Sequence, residues 1–142
     1  MSSRVVNPYA SQDLFVATTV HERRFELVSR SEKDGKPFGR QVDSWWMAMA
    51  IGVRLGQRIP LPQDRTKFND GAILASDPWR ITQLEMLALA EADEKILDEP
   101  IQVIRIASEY ANGGFPWLLD HLLGVNEPTL TLINRLEADI KD

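Results

Sequence analysis

VDSWWMAMAIGVRLG, residues 42–56, decides how the rest of the chain is read. Between Trp45 and Leu55 the only polar side chain is Arg54, and Gly52 carries no side chain at all. A surface helix shows an apolar stripe and a polar face. This stretch is apolar nearly all round, which predicts a central helix over about residues 43–57, covered on most sides. Asp43 is placed to cap it through the amides of Trp45 or Trp46. Val42 and Met47 can close across the cap as a hydrophobic staple. Ala48, Gly52 and Gly56 recur every four residues and share one face. They let another backbone approach closely, and such packing is what offsets the ~1 kcal/mol a mid-helix glycine costs relative to alanine. The run is shorter than the about 20 apolar residues of a membrane span.

Upstream, SEKDGKPFGRQ (31–41) reads as a polar turn. Asp34-Gly35 and Lys36-Pro37 break the chain, and Phe38 anchors the loop to the core. Residues 13–30 admit two readings. Leu14, Phe15, Val16 and Val20 with Thr18 and Thr19 favour a short strand before a helix from His21 to Arg30. Glu22 and Glu26 opposite Arg24 and Arg30 support that helix. A single helix from Asp13 to Arg30 fits equally well despite the β-branched residues, and the reading leans towards helix. Residues 1–12 carry little apolar content and an Asn7-Pro8 turn signal, which predicts a flexible leader.

Downstream, residues 57–78 lack a regular period, and Pro60 and Pro62 prevent helix. Ile59, Leu61, Phe68, Ile73 and Leu74 predict an ordered wrap against the core. Asp77-Pro78 opens a helix with Ile81, Leu84, Leu87 and Ala88 inside. An acidic connection, 91–99, follows, with room for one turn at Ile96 and Leu97. Pro100 opens a helix facing inward through Ile104, Ala107, Tyr110 and Ala111, and Asn112-Gly113-Gly114 is expected to end it. Pro116 opens a short apolar helix, and Pro128 a last one facing inward through Leu132, Ile133, Leu136 and Ile140. These signals agree with one another. The expected class is all-α (mainly α), a single helical domain at 13–142 around the central helix, with one short N-terminal strand as the variant.

The 142 residues suit one domain with one core. The chain has no cysteine, so disulfides and thiolate metal sites are excluded. Neither a secretion signal nor a membrane span is expected, and the reading is a cytoplasmic protein. The net charge of −5 is uneven: residues 1–67 carry 11 Lys/Arg against 7 Asp/Glu, and residues 68–142 carry 5 against 14. Contact with nucleic acid would therefore have to come from the first half.

The chemistry sought in the sequence is sparse. His21 and His121 stand a hundred residues apart with no metal-ligand spacing, so no metal site is expected. The glycines fit neither common phosphate-loop spacing, so no cofactor is expected. Asp34-x-Lys36 and Asp139-x-Lys141 are the nearest approach to a metal-nuclease pattern, and neither lies at a strand end. Trp45, Trp46, Trp79 and Trp117 fall beside apolar groups in predicted helices, where core is the first reading. Trp45 and Trp46 diverge by about 100° on a helix, which lets one of them reach the surface as a partner contact.

PFGRQVDSWWMAMAIGVRLGQRIPL (37–61) resembles a block in the Dnd-system-associated small proteins, where a Pro-Phe turn precedes an Asp-initiated helix that runs into a Leu-Gly and Arg-x-Pro-Leu end. The matching positions are Pro37, Phe38, Asp43, Gly52 or Gly56, Arg58, Pro60 and Leu61. Glu109-Tyr110-Ala111-Asn112-Gly113-Gly114 is similar to the family's Glu-Tyr-Ala-Asn-x-Gly segment, and Ile96-Leu97 lies in a similar acidic spacer. The resemblance implies an accessory protein encoded beside bacterial DNA phosphorothioation genes or related anti-phage defence genes. It implies no catalytic residues.

Three functional readings follow. The first is a non-enzymatic adaptor that meets protein subunits of a defence complex through Trp46, Arg58, Arg65 and Lys67. The second is a DNA-binding module. A strand at 14–20 with helices at 21–30 and 43–57 has the element order of a ribbon-helix-helix homodimer, and Arg23, Arg24, Arg30, Lys33, Lys36 and Arg40 would meet phosphates. The third is a nuclease or other hydrolase with a site assembled from distant residues, for which Asp64, Arg65, Lys67 and Asp70 of the long loop are the best candidates.

Overall fold

The computed structural model describes residues 6–122. In chain order its elements are strand β1 (Asp13–Ala17), the one-turn helix α1 (Thr18–Glu22), helix α2 (Gln41–Leu55), strand β2 (Arg65–Asp70), helix α3 (Trp79–Glu91) and helix α4 (Pro100–Leu122). Short 3-10 turns lie at Arg24–Glu26, Glu32–Asp34, Gly71–Ser76 and Glu94–Asp98. The fold is mainly helical, with one small antiparallel sheet.

The central helix forms where expected. Val42, Trp45, Ala48 and Ile51 are almost wholly buried on α2, while Ala50, Val53 and Leu55 leave one strip open to solvent. Its ends differ from the expectation. Asp43 does not cap, because the helix already begins at Gln41 and the Asp43 carboxylate is taken by Arg40 and Arg80. Gly56 does not extend the small-residue face. It turns left-handed (φ 65°) and closes the helix, the amides of Gly56 and Gln57 donating to the carbonyls of Val53 (3.2 Å) and Gly52 (2.8 Å). Gly52 does lie at a close crossing: a Cβ there would overlap the Tyr110 carbonyl of α4.

That crossing explains the main departure from the sequence reading. Asn112-Gly113-Gly114 does not end a helix, and no new one starts at Pro116. α4 runs unbroken from Pro100 through both glycines and the proline to Leu122. Neither glycine adopts positive φ. Each instead sits where two backbones touch, since a Cβ on Gly113 would overlap the Gln57 carbonyl and one on Gly114 the Ala48 carbonyl. Tertiary packing, which local propensity cannot register, holds the pair helical. The expected last helix after Pro128 lies outside the described residues.

Residues 13–17 are strand, which corrects the helical reading of 13–30. β1 pairs antiparallel with β2, with a bulge between Leu14 and Phe15. Leu14 and Val16 face the core, where Phe68 of β2 meets the Trp45 ring at 6.0 Å. The ribbon-helix-helix arrangement does not form: the strand's partner is β2 of the same chain, and only α1 and a 3-10 turn follow it. The wrap at 57–78 is ordered, as expected, and supplies β2. Residues 6–12, assigned to the leader, are docked: Tyr9 has no exposed surface, the Asn7 side-chain amide donates to the Gly71 carbonyl (3.0 Å), and the Gly71 amide donates to the Gln12 carbonyl (2.7 Å). Phe38 anchors its turn through bonds with Leu27 and Ser29 and packs on the core.

Candidate functional site

The two segments that carried the family resemblance meet in space. α2 ends at Gly56, and residues 57–60 then run along α4. Arg58 donates from Nε to Glu109 (2.8 Å) and from Nη1 to Glu91 at the end of α3 (3.1 Å). The Ile59 amide donates to the Glu109 carbonyl (3.1 Å), and the Asn112 side chain donates to the carbonyls of Ile59 (3.2 Å) and Pro60 (3.1 Å). The Tyr110 hydroxyl donates to Glu91. A proline-bearing run has few backbone donors of its own, so these side chains from α4 fix its path. Glu109 is 6% exposed, and its bond to Arg58 holds the guanidinium pKa above the usual arginine value. The bond to Glu91 likewise pushes the Tyr110 hydroxyl up, with burial adding to it.

The fixed loop forms one wall of an open cleft of about 590 Å³. Opposite stands the outer face of the sheet, with Asp13 and Phe15, and the floor is the start of α4, with Ile101, Ile104, Arg105 and Ser108. These four share a helix face by their spacing. The volume lies within the range of ligand clefts, about 300–1,000 Å³. Its lining mixes apolar groups with fixed charges. Asp13 is held by Lys67 (3.0 Å), and Glu109 by Arg58 and Arg105 (3.6 Å). Arg65 leans on backbone, donating from Nε to the Pro62 carbonyl (2.8 Å). Among the described residues it has no carboxylate partner. Ser108, 4% exposed, lines the cleft without a hydrogen bond from its hydroxyl among the described residues.

Of the partner contacts expected from sequence, only Arg65 lines the cleft directly. Arg58 builds its wall, and Lys67 is tied between Asp13 and Asp70. Trp46 is elsewhere. It is half-buried, meets Trp79 edge-on at 5.4 Å, and lies 5.2 Å from the Arg80 guanidinium. Trp79, read as core, is 48% exposed and reaches solvent further than the half-buried Trp46. Arg80 beneath them is 5% exposed and donates to Asp43 (2.7 Å). Burial raises the Asp43 pKa, but the bonds from Arg40 and Arg80 outweigh it and hold the carboxyl below its usual value.

The cations assigned to DNA differ in their partners. Arg23 pairs with Glu26 (2.7 Å), and Arg40 with Asp43 (3.0 Å) and Asp77 (2.9 Å). Arg24 and Arg30 lie against the Phe25 ring at 4.4 and 4.0 Å, and Lys33 and Lys36 are exposed in the following turn. The four residues of the hydrolase reading have partners of their own. Asp64 accepts from the Thr18 hydroxyl (2.8 Å), while Lys67 and Asp70 pair with each other and Arg65 turns to Pro62. Among the described residues no group of three acidic or histidine side chains could hold a metal. No helix among them is long and apolar enough to cross a membrane.

Sequence reasoning missed Phe15, Ile101, Arg105 and Ser108. Ile101 offered a signal: it extends the Ile104 face by one turn, yet the buried face already had its quota in Ala107, Tyr110 and Ala111. No curated protein and no solved structure matches the chain. A family model described as DNA sulphur modification system-associated protein 4 matches residues 20–142, a span that includes every residue of the loop and α4 network just described. The chain belongs to that family.

Proposed function

We propose that the protein serves a DNA sulphur modification system as a non-enzymatic accessory subunit, holding a partner protein in the cleft between the sheet and α4. The observation that carries this reading is that the residues of the Glu109–Gly114 segment are spent on fixing the wall of that cleft. A wall fixed in advance lowers the ordering cost of binding. The test is affinity capture of the tagged protein from its native host, with the products of neighbouring genes scored, beside an Ile101→Arg variant. Ile101 is 62% exposed, so arginine there leaves the core intact and crowds the cleft. The partner should be recovered with the parent and lost with the variant. Equal recovery with both rejects the cleft as the docking site.

Direct DNA contact is the second reading. It rests on Arg24, Arg30, Lys33 and Lys36, which have no carboxylate in ion-pair contact among the described residues. Duplex binding through these groups should weaken steeply with salt. Binding that ignores salt, or none at low salt, rejects it.

A further inference from the structure

The cleft proposed above as the docking site also specifies what it accepts. Its charges are balanced but for one. Asp13 is met by Lys67, and Glu109 by Arg58 and Arg105, whereas Arg65 stands on the rim with a bond to the Pro62 carbonyl and no carboxylate among the described residues. Its Nε and Nη2 donate to the Pro62 (2.8 Å) and Leu61 (3.5 Å) carbonyls, which leaves Nη1 without a partner among the described residues and the fixed positive charge open to a carboxylate. Below it, Phe15, Leu61, Ile101 and Ile104 offer an apolar floor, and the Ser108 hydroxyl reaches the same space with no partner among the described residues. A polyanion would meet Asp13 and Glu109 as well as Arg65, which disfavours a nucleic-acid backbone here. A cationic segment would find both acids already paired.

We infer that the cleft takes an extended segment of a partner protein in which one carboxylate adjoins an aliphatic side chain. The carboxylate binds Arg65, with Ser108 as a second donor, and the aliphatic group lies on Ile101 and Ile104. This rests on the cleft reading above and adds the chemistry of the occupant.

The experiment is selection of peptides from a random displayed library on the full chain, followed by binding measurements on the selected peptides. The expected result is a set of peptides that carry Asp or Glu next to Leu, Ile or Val. Their affinity should fall about tenfold or more when the acid becomes its amide, or when Arg65→Gln replaces the guanidinium. Arg54→Gln, at an exposed cation of α2 that does not line the cleft, should leave affinity unchanged. Arg65→Lys keeps the charge without the guanidinium and should lose part of the affinity, and thermal melts of all variants separate lost binding from lost folding. Selection of basic or uncharged peptides, binding indifferent to Arg65→Gln, or no selected peptide overturns the inference. Capture of the native partner distinguishes the two proposals. Loss on Ile101→Arg with full retention on Arg65→Gln keeps the cleft and discards the carboxylate, while retention on both discards the cleft itself.

Discussion

Replacing Gly52 with alanine tests the helix crossing at the centre of the fold. The glycine lies mid-helix in α2, where alanine alone would gain ~1 kcal/mol in propensity. The added Cβ, however, falls on the Tyr110 carbonyl oxygen and carbon, with the Tyr110 Cα only 3.2 Å away. These are backbone atoms of α4, so no side-chain rotation relieves the overlap. The two helices must part by roughly an ångström or more to restore ordinary contact. Parting them also pulls on Gly114, which meets Ala48 and Gly52 at the same place, and on the Arg58–Glu109 bond just beyond. Overpacking of this kind costs about 1–3 kcal/mol, and contact with backbone places it at the upper end. Net of the propensity gain, a loss of about 2 kcal/mol is expected, or a melting temperature lower by about 5–10 °C for a chain of this size. Gly39→Ala is the control, because nothing lies within 4 Å of its Cβ and its φ is not positive. It should change stability by less than about 1 kcal/mol in either direction. Thermal melts and urea titrations of both variants decide the matter. A Gly52→Ala protein that melts with or above the parent would falsify the crossing as drawn.

Two further predictions concern ionisable groups. Asp43 has a folded pKa below its usual value, so its contribution is present above the unfolded pKa of about 4 and lost as pH falls through the folded value. Asp43→Asn leaves the buried Arg80 guanidinium without its closest anion, at a cost of about 3 kcal/mol near pH 7. Urea titrations from pH 7 downward should show parent and variant converging at acid pH, and a constant gap would refute the assignment. Tyr9 is raised to about 12 by burial and by Glu85, so its contribution is full below the unfolded pKa of about 10 and declines as pH rises from there to 12. Tyr9→Phe should flatten that alkaline decline. At pH 7 it should be nearly neutral, since the buried hydroxyl has no partner among the described residues. A variant with the parent's alkaline limb would show that another group titrates there.

The central helix was legible because its composition left a single arrangement open: fifteen residues with one charged side chain in their second half must be covered. The starts at Trp79 and Pro100 were legible from proline, which acts locally. The sheet was not. β2 reads Arg-Thr-Lys-Phe-Asn-Asp, with only Thr66, Phe68 and their alternation to suggest a strand, and it becomes one by pairing with β1, some fifty residues earlier. The glycine pair at 113–114 was misread for a related reason. Glycine permits both a left-handed turn and a close backbone approach, and only the position of α2 selects between them. Sequence named Arg58 and Arg65 as exposed contacts, but whether a cation is free depends on where Glu109 and the Pro62 carbonyl come to lie. Trp79 was misplaced because it lies about 200° round the helix from Ile81, so the face that buries Ile81 turns Trp79 outward.

The residues that carried the family resemblance are largely consumed inside the molecule. Glu109 holds Arg58, Asn112 holds the carbonyls of Ile59 and Pro60, and Gly113 gives Gln57 room to pass. Substitution at any of them alters the wall of the cleft. The groups turned to the open space, Phe15, Arg65, Ile101 and Arg105, lie largely outside those segments and make few internal bonds. A chain that kept the wall and changed these four would present the same cleft with a different selectivity. On the proposed reading the segments that carried the resemblance shape the cleft, while the groups that would meet a partner lie elsewhere in the chain, so those segments were silent about the occupant.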